Sequence, residues 1–179
     1  MVNISDIQTS VILDGRNDTE KKLFSILGKK GIAFELVDND VVESMDECEE
    51  IDKVLGAEIR KSIFLCNKKK TSFFLIVLPA AKALDSNLLS QKIGVSNLSF
   101  ASPEYMEEHL RVKPGSLSVA GLVNDEDDYV QVFIDKQVTE DEWFCCNTGV
   151  NTSHLKIKTT DLLQKYLPAV RHKAKIIEL

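Results

Sequence analysis

Apolar positions along this chain come in short runs whose spacing alternates between helical and strand-like, with turn residues between them. Residues 1–17 show no clean period and are read as an N-terminal extension, either an added strand or a loosely held segment. Asp18-Thr19 then provide a helix cap, and Leu23, Phe24, Ile26 and Leu27 form an apolar stripe that Gly31 stops. Ile32–Val37 alternates as a strand. Ser44, with Glu47 three residues on, makes a capping box for a helix from Met45 to about Leu55.

The strongest local signal is a hairpin: Ser62–Cys66, a polar lysine turn, then Ser72–Leu78, closed by Pro79, which cannot donate to a ladder. Asp85–Ile93 reads as a helix ending at Gly94, followed by a short strand at Leu98–Phe100. Ser102-Pro103 opens another helix, with Pro at its first position. Strands are expected at Leu117–Val123, Val130–Ile134, around Trp143–Cys146 and at His154–Ile157. A last helix, Thr159–Leu167, is expected to stop at Pro168, with an edge strand at Lys175–Glu178. The pattern predicts a mixed sheet of roughly six or seven strands interleaved with roughly four or five helices, an α/β or mixed α+β domain.

At 179 residues and 44% hydrophobic, the chain suits one domain with a real core. No run of 18 apolar residues occurs, and Met1–Asp6 lacks the basic start of a signal peptide, so a cytoplasmic address is expected. Cys48, Cys66, Cys145 and Cys146 form no CxxC, and no Cys/His group has zinc-like spacing. Reduced, partly buried thiols are expected, with Cys145 and Cys146 on opposite faces of a strand. The net charge of −6 argues against a protein that coats nucleic acid, though not against one that grips an RNA end. The run Lys68-Lys69-Lys70 is read first as a solvated hairpin turn and second as an RNA contact.

No GxSxG elbow, Walker loop, HExxH or GxGxxG is present. His109 lies near a helix end and His172 near the C-terminus, where surface roles are the default. Six unexceptional motifs nevertheless follow one another in a fixed order. Ile59–Leu65 leads through the lysine hairpin into Phe73–Pro79; Leu98–Glu104, Val112–Ser118, Gly121–Asp125 and Asn151–Leu155 then follow, ahead of the last helix.

That order resembles the YbaK/prolyl-tRNA editing superfamily, and within it the free-standing ProXp-ala/PrdX-type deacylases, over nearly all the chain from about Thr19. The resemblance implies a single domain over 18–179, with a mixed sheet flanked by helices. It also implies hydrolysis of a mischarged aminoacyl-tRNA, chiefly alanyl-tRNA for proline, without metal or cofactor. The implied partners are the aminoacylated 3′ end of tRNA and, as a further possibility, prolyl-tRNA synthetase.

On this resemblance Lys61 is the family's characteristic lysine. At a strand entrance it can offer a fixed ammonium to a phosphate or ester oxygen, the alternative being an exposed strand-end lysine. An aminoacyl ester is already activated, so the enzyme has mainly to position water and balance developing charge. Ser62, Asn147, Asn151 and Thr152 fall at family substrate positions, and Pro114-Gly115-Ser116 would frame the pocket, or simply form a turn. Gly121 suggests close backbone or ligand approach, and Asp125 a hairpin turn.

Three positions depart from the pattern: Ser62 replaces an asparagine, Asn147-Thr148 a histidine-proline pair, and Asn39 an early-loop histidine. These changes remove any imidazole base from those places, and Thr148 in place of proline is expected to loosen the pocket loop. His154 is read as a strand-packing residue, with replacement of the lost imidazole as the alternative. The departures open a second reading, a non-catalytic module that binds aminoacyl-tRNA or an amino acid. A third is editing of another small residue such as serine or cysteine.

Overall fold

The computed structural model describes residues 2–179, and its strands fall into two sheets that meet at one seam. Helix α1 (Asp18–Lys29) is capped one residue earlier than the sequence suggests. The Asn17 side chain accepts from the Glu20 N–H at 2.9 Å, and the Glu20 carboxylate accepts from the Asn17 N–H at 3.2 Å. A capping box needs its acidic partner three residues on, and Asn17 has Glu20 there. Strand β1 (Phe34–Asp38) and helix α2 (Met45–Leu55) follow, α2 carrying the expected Ser44/Glu47 box.

Strands β2 (Lys61–Cys66) and β3 (Phe73–Leu78) form the hairpin, with Lys61 opposite Leu78. Its turn is tied by the Asn67 side chain, which accepts from the N–H groups of Thr71 and Ser72. Then come α3 (Ser86–Ile93), β4 (Ser99–Phe100), α4 (Pro103–Leu110), β5 (Val130–Asp135), α5 (Lys136–Glu140), β6 (Trp143–Asn147) and β7 (Ser153–Lys158). The order β4-β2-β3-β5-β8, with β8 at Lys175–Ile177, makes a mixed five-stranded sheet, antiparallel up to β3 and parallel beyond it. The remaining strands form an antiparallel sheet, β1-β7-β6. A parallel bridge between Ile59 and Cys145 joins the two, and the Arg60 N–H donates to the Cys145 carbonyl at 2.9 Å.

Two expected elements differ. The segment expected as a strand at Leu117–Val123 is instead a 3-10 helix, Val119–Asn124. Val119 through Val123 are all buried, and a continuous apolar run carries no period that separates strand from helix. Pro168 does not end the last helix, which runs through Thr159–Asp161, a π turn at Leu162–Tyr166 and Leu167–Ala169. A π turn widens the backbone ring just where proline has no N–H to give.

The main core lies between α1, the 3-10 helix and the last helix on one side and the inner sheet faces on the other, with Leu27, Leu75, Leu155 and Tyr166 fully enclosed. A second core seals α2 onto Val37, Ile59 and Cys145; a third places α3 on Phe74, Ile76 and Phe133. Cys146 belongs to the main core and Cys145 to the α2 core, the opposite-face placement expected of neighbours in a strand. The segment 2–17 runs beside β1, with bridges from Ile4 to Asn39 and from Gln8 to Leu36. The Arg16 guanidinium latches it, donating to Asp38 at 2.7 and 2.8 Å and to Ser153 Oγ at 3.1 Å.

Candidate functional site

Where the two sheets part beyond the Ile59–Cys145 bridge, a cavity of about 290 Å³ opens. Its floor is apolar: Met45 and Cys48 come from α2, Ile59 from the seam, Met106 from α4 and Leu117 from the loop after it. Polar groups enter from the strand ends. Lys61 and Ser62 arrive from the start of β2, Asn147 from the end of β6 and His154 from the start of β7.

The Lys61 ammonium donates to the backbone carbonyl of Lys82. That carbonyl is itself steadied, because the Lys82 ammonium pairs at 2.8 Å with Asp135, a fully buried carboxylate. Gly115 forms the opposite lip with Pro114, at φ +84°, the left-handed region that a side chain disfavours. Asn147 mostly braces the loop behind it: its Nδ2 donates to the Leu117 carbonyl at 3.2 Å, and its Oδ1 accepts from the Gly149 N–H at 2.9 Å.

Lys61, Ser62, Pro114, Gly115 and Asn147 thus share one cavity wall. The remaining candidates lie outside it. Ser116 is buried just beyond the turn. Gly121 packs against α4, where an added Cβ would meet Leu110 at 3.1 Å, so the close approach it serves is backbone packing rather than a ligand. Asn151 acts one step back, donating to the Val42 carbonyl at 3.0 Å and so holding the lip formed by Val42 and Glu43. Thr152 lines a separate open groove beside Arg16 and Asp38.

The loop expected to be loosened by Thr148 is firmly tied. Thr148 is fully buried, its hydroxyl donates to Glu20 at 2.9 Å, and its N–H donates to the Ser153 carbonyl at 3.0 Å. His154, read as a strand-packing residue, also lines the cavity. Its Nδ1 lies 2.8 Å from Asn39 Oδ1, so Asn39 holds the imidazole in place. Burial pushes the His154 pKa down to about 4, leaving the ring neutral near pH 7. Cys48 shares this cavity, but burial, with Asp52 and Glu47 nearby, pushes its thiol up to about 11. The pair is therefore poised as thiol and neutral imidazole, which gives no activated nucleophile.

His172 is not a surface residue. It is buried, its Nδ1 donates to the Val170 carbonyl at 2.7 Å, and its Nε2 meets Asp125 Oδ2 at 2.9 Å. Asp125 also accepts from the N–H groups of Tyr129 and Val130, so it shapes the expected turn and clamps the C-terminal segment as well. His109 packs beside Phe73, ring centroids 4.3 Å apart, away from the cavity. A wider groove of about 850 Å³ beside α1 mixes Lys21, Lys22 and Arg111 with Glu107, Glu126 and Asp127 and holds none of the candidate residues. Among the described residues no His/Cys/Asp/Glu group could hold a metal ion, and no helix is long and apolar enough to cross a membrane.

Met45, Cys48, Met106 and Leu117 escaped the sequence reading, because an apolar residue at helical spacing looks the same whether it faces a core or a cavity. Asn39 and His154 are far apart in sequence, and no spacing signals their contact.

Residues 39–165 match the model of the aminoacyl-tRNA editing domain family. The chain is 29% identical over 162 residues to the prolyl-tRNA editing protein ProX of Acetoanaerobium sticklandii, covering 90% of this chain and 98% of that protein. It is 26% identical over 157 residues to prolyl-tRNA synthetase associated domain-containing protein 1 of Danio rerio, covering 87% and 84% respectively. Its fold matches a solved structure described as a candidate trans-editing enzyme for prolyl tRNA synthetase, with a TM-score of 0.68 at 17% identity, over 91% of this chain and 97% of that one. The chain belongs to the aminoacyl-tRNA editing domain family, as an aminoacyl-tRNA hydrolase.

Proposed function

We propose that this protein removes alanine from mischarged tRNA for proline in the cytoplasm, acting in trans beside prolyl-tRNA synthetase. The aminoacyl ester enters the seam cavity, and the terminal ribose stays at the mouth between Lys61 and the Pro114-Gly115 turn. Lys61 orients the ester or terminal phosphate and balances charge as water adds to the carbonyl. The observation that carries this reading is the convergence of Lys61, Ser62, Gly115 and Asn147 on one small, mostly apolar cavity. Selection against a larger side chain would come from close packing of the Met45, Ile59, Met106 and Leu117 wall, since a tight wall rejects extra bulk by overpacking.

Incubation with alanyl-tRNA for proline is expected to release alanine, and Lys61→Ala to slow release by about 100-fold or more, the usual loss for a charge-stabilising donor. A Lys61→Ala protein as fast as the parent would end the assignment. Serine- and cysteine-charged tRNAs in the same panel read the side-chain preference directly.

One observation favours the binding-module reading: His154 stays neutral near pH 7 and Cys48 a thiol, so neither supplies acid or base chemistry. That reading predicts binding of aminoacyl-tRNA without turnover.

A further inference from the structure

The Asn39 side chain is committed on both edges. Its Nδ2 donates to the Asp40 carbonyl at 2.7 Å and to the Asn151 carbonyl at 3.2 Å, so the amide can face His154 only through Oδ1. An oxygen at 2.8 Å from Nδ1 requires the proton to sit on Nδ1. Nε2 is then a bare lone pair. It makes no hydrogen bond among the described residues, yet it is not one of the sealed, unpartnered polar atoms, which are Arg60 Nε and Thr159 Oγ1. On a ring that lines the cavity, it therefore opens into that space.

We propose that His154 Nε2 accepts a hydrogen bond from the α-ammonium of the esterified amino acid, with Asn39 setting the tautomer that makes this possible. The proposal rests on reading the seam cavity as the aminoacyl site. Among the groups of an aminoacyl ester, the ammonium is the strongest donor, and a neutral acceptor in a mostly apolar wall is its natural partner. A general base should titrate near the working pH, and this imidazole titrates near 4, so it suits holding a cation better than taking a proton from water. The charged groups around the same cavity are Glu43, Arg60 and Lys61. Arg60 is engaged by Glu58 and Asp141, Lys61 lies on the Lys82 carbonyl, and Glu43 belongs to the exposed lip, where it draws a cation in without fixing its place. On the antiparallel neighbours of β7, Val37 and Asn147 stand opposite His154, and neither brings charge.

Two non-hydrolysable probes separate binding from turnover: adenosine carrying alanine through a 3′ amide, and the same molecule with a propionyl group, which lacks only the amine. Calorimetry on the intact protein is expected to give a Kd at least 10-fold lower for the alanyl probe. In His154→Leu the ratio should collapse to near one with the propionyl Kd unchanged, and in His154→Gln, which keeps an acceptor, most of the preference should remain. Equal affinities in the parent, or a ratio that survives His154→Leu, would overturn the proposal. If His154→Leu binds neither probe, the Gln variant decides, retained preference supporting the proposal and lost preference overturning it. Failure of the parent to bind either probe overturns both this proposal and the aminoacyl-site reading, whereas probe binding with no release from any charged tRNA removes the hydrolase reading alone.

Discussion

The molecule buries two histidines and treats them in opposite ways. His154 faces a cavity with one neutral partner, Asn39, and desolvation alone drives its pKa down. His172 is equally shut away, and burial pulls its pKa down too, but the Asp125 carboxylate and the Val170 carbonyl outweigh that and raise it. Both ring nitrogens of His172 meet acceptors, which is the pattern of an imidazolium. One ring has a single neutral partner on Nδ1, and the other has acceptors on both nitrogens, one of them a carboxylate. Burial by itself therefore says little about charge; what distinguishes the two is whether a carboxylate is supplied.

The largest test of that contrast is to remove the carboxylate. Asp125→Ala leaves the imidazole without its counter-charge and strips the acceptors from the Tyr129 and Val130 N–H groups. Breaking one side of a buried pair costs about 3–5 kcal/mol, measurable by urea unfolding. A loss below about 1 kcal/mol would mean that the nearby Asp128, 3.5 Å from His172 in the same structure, takes over.

The pH profile of stability sharpens the comparison further. For His154 the folded pKa lies below the unfolded value, so the unfolded chain binds the extra proton between about pH 4 and 6.5, and stability rises with pH across that window. A shift of this size corresponds to about 3 kcal/mol. For His172 the folded pKa is raised, so its contribution is complete below about 6.5 and is lost as pH climbs through the folded value. Asp125 is lowered despite burial, because His172 and two backbone N–H groups outweigh desolvation, and its share is lost at low pH. Asp52 works against the His154 slope, because burial raises its carboxyl to about 6 and its share is lost as pH climbs through that value. His154→Leu should remove the component that rises between about pH 4 and 6.5, and Asp125→Asn the fall at alkaline pH together with Asp125's own share at low pH; an unchanged acid side in His154→Leu, or an unchanged alkaline side in Asp125→Asn, would reverse the assignment.

Elements with a clean local signature were legible in the sequence. The Ser44/Glu47 box and the β2–β3 hairpin appear where capping and alternation put them. The strand expected at Leu117–Val123 failed because every residue there is enclosed, and enclosure erases periodicity. At the site, Lys61 and the Pro114-Gly115 turn could be named from motif order, but Asn151 and Gly121 could not be separated from the cavity wall by sequence alone. The Asn39–His154 contact is a pairing across 115 positions, created when β1 and β7 lie side by side. Such a contact has no local trace.

The smallest expected effect comes from Asn39, and it bears most directly on why the two histidines differ. Asn39→Ala removes the Oδ1 acceptor and also the donations to Asp40 and Asn151. Leaving a buried ring N–H unpaired costs about 1–3 kcal/mol, less than the loss of Asp125, because no charge is stranded. With its partner gone, the ring is free to place the proton on Nε2, and nitrogen NMR shifts should show the Nδ1-protonated tautomer losing its dominance. Asn39→Asp is the sharper variant. It keeps an oxygen in place but adds the carboxylate that His172 already has, so His154 should now titrate upward toward neutrality, as His172 does. If the His154 pKa stays near 4 beside an aspartate, then burial rather than the partner's charge governs this site, and the contrast between the two histidines needs another cause.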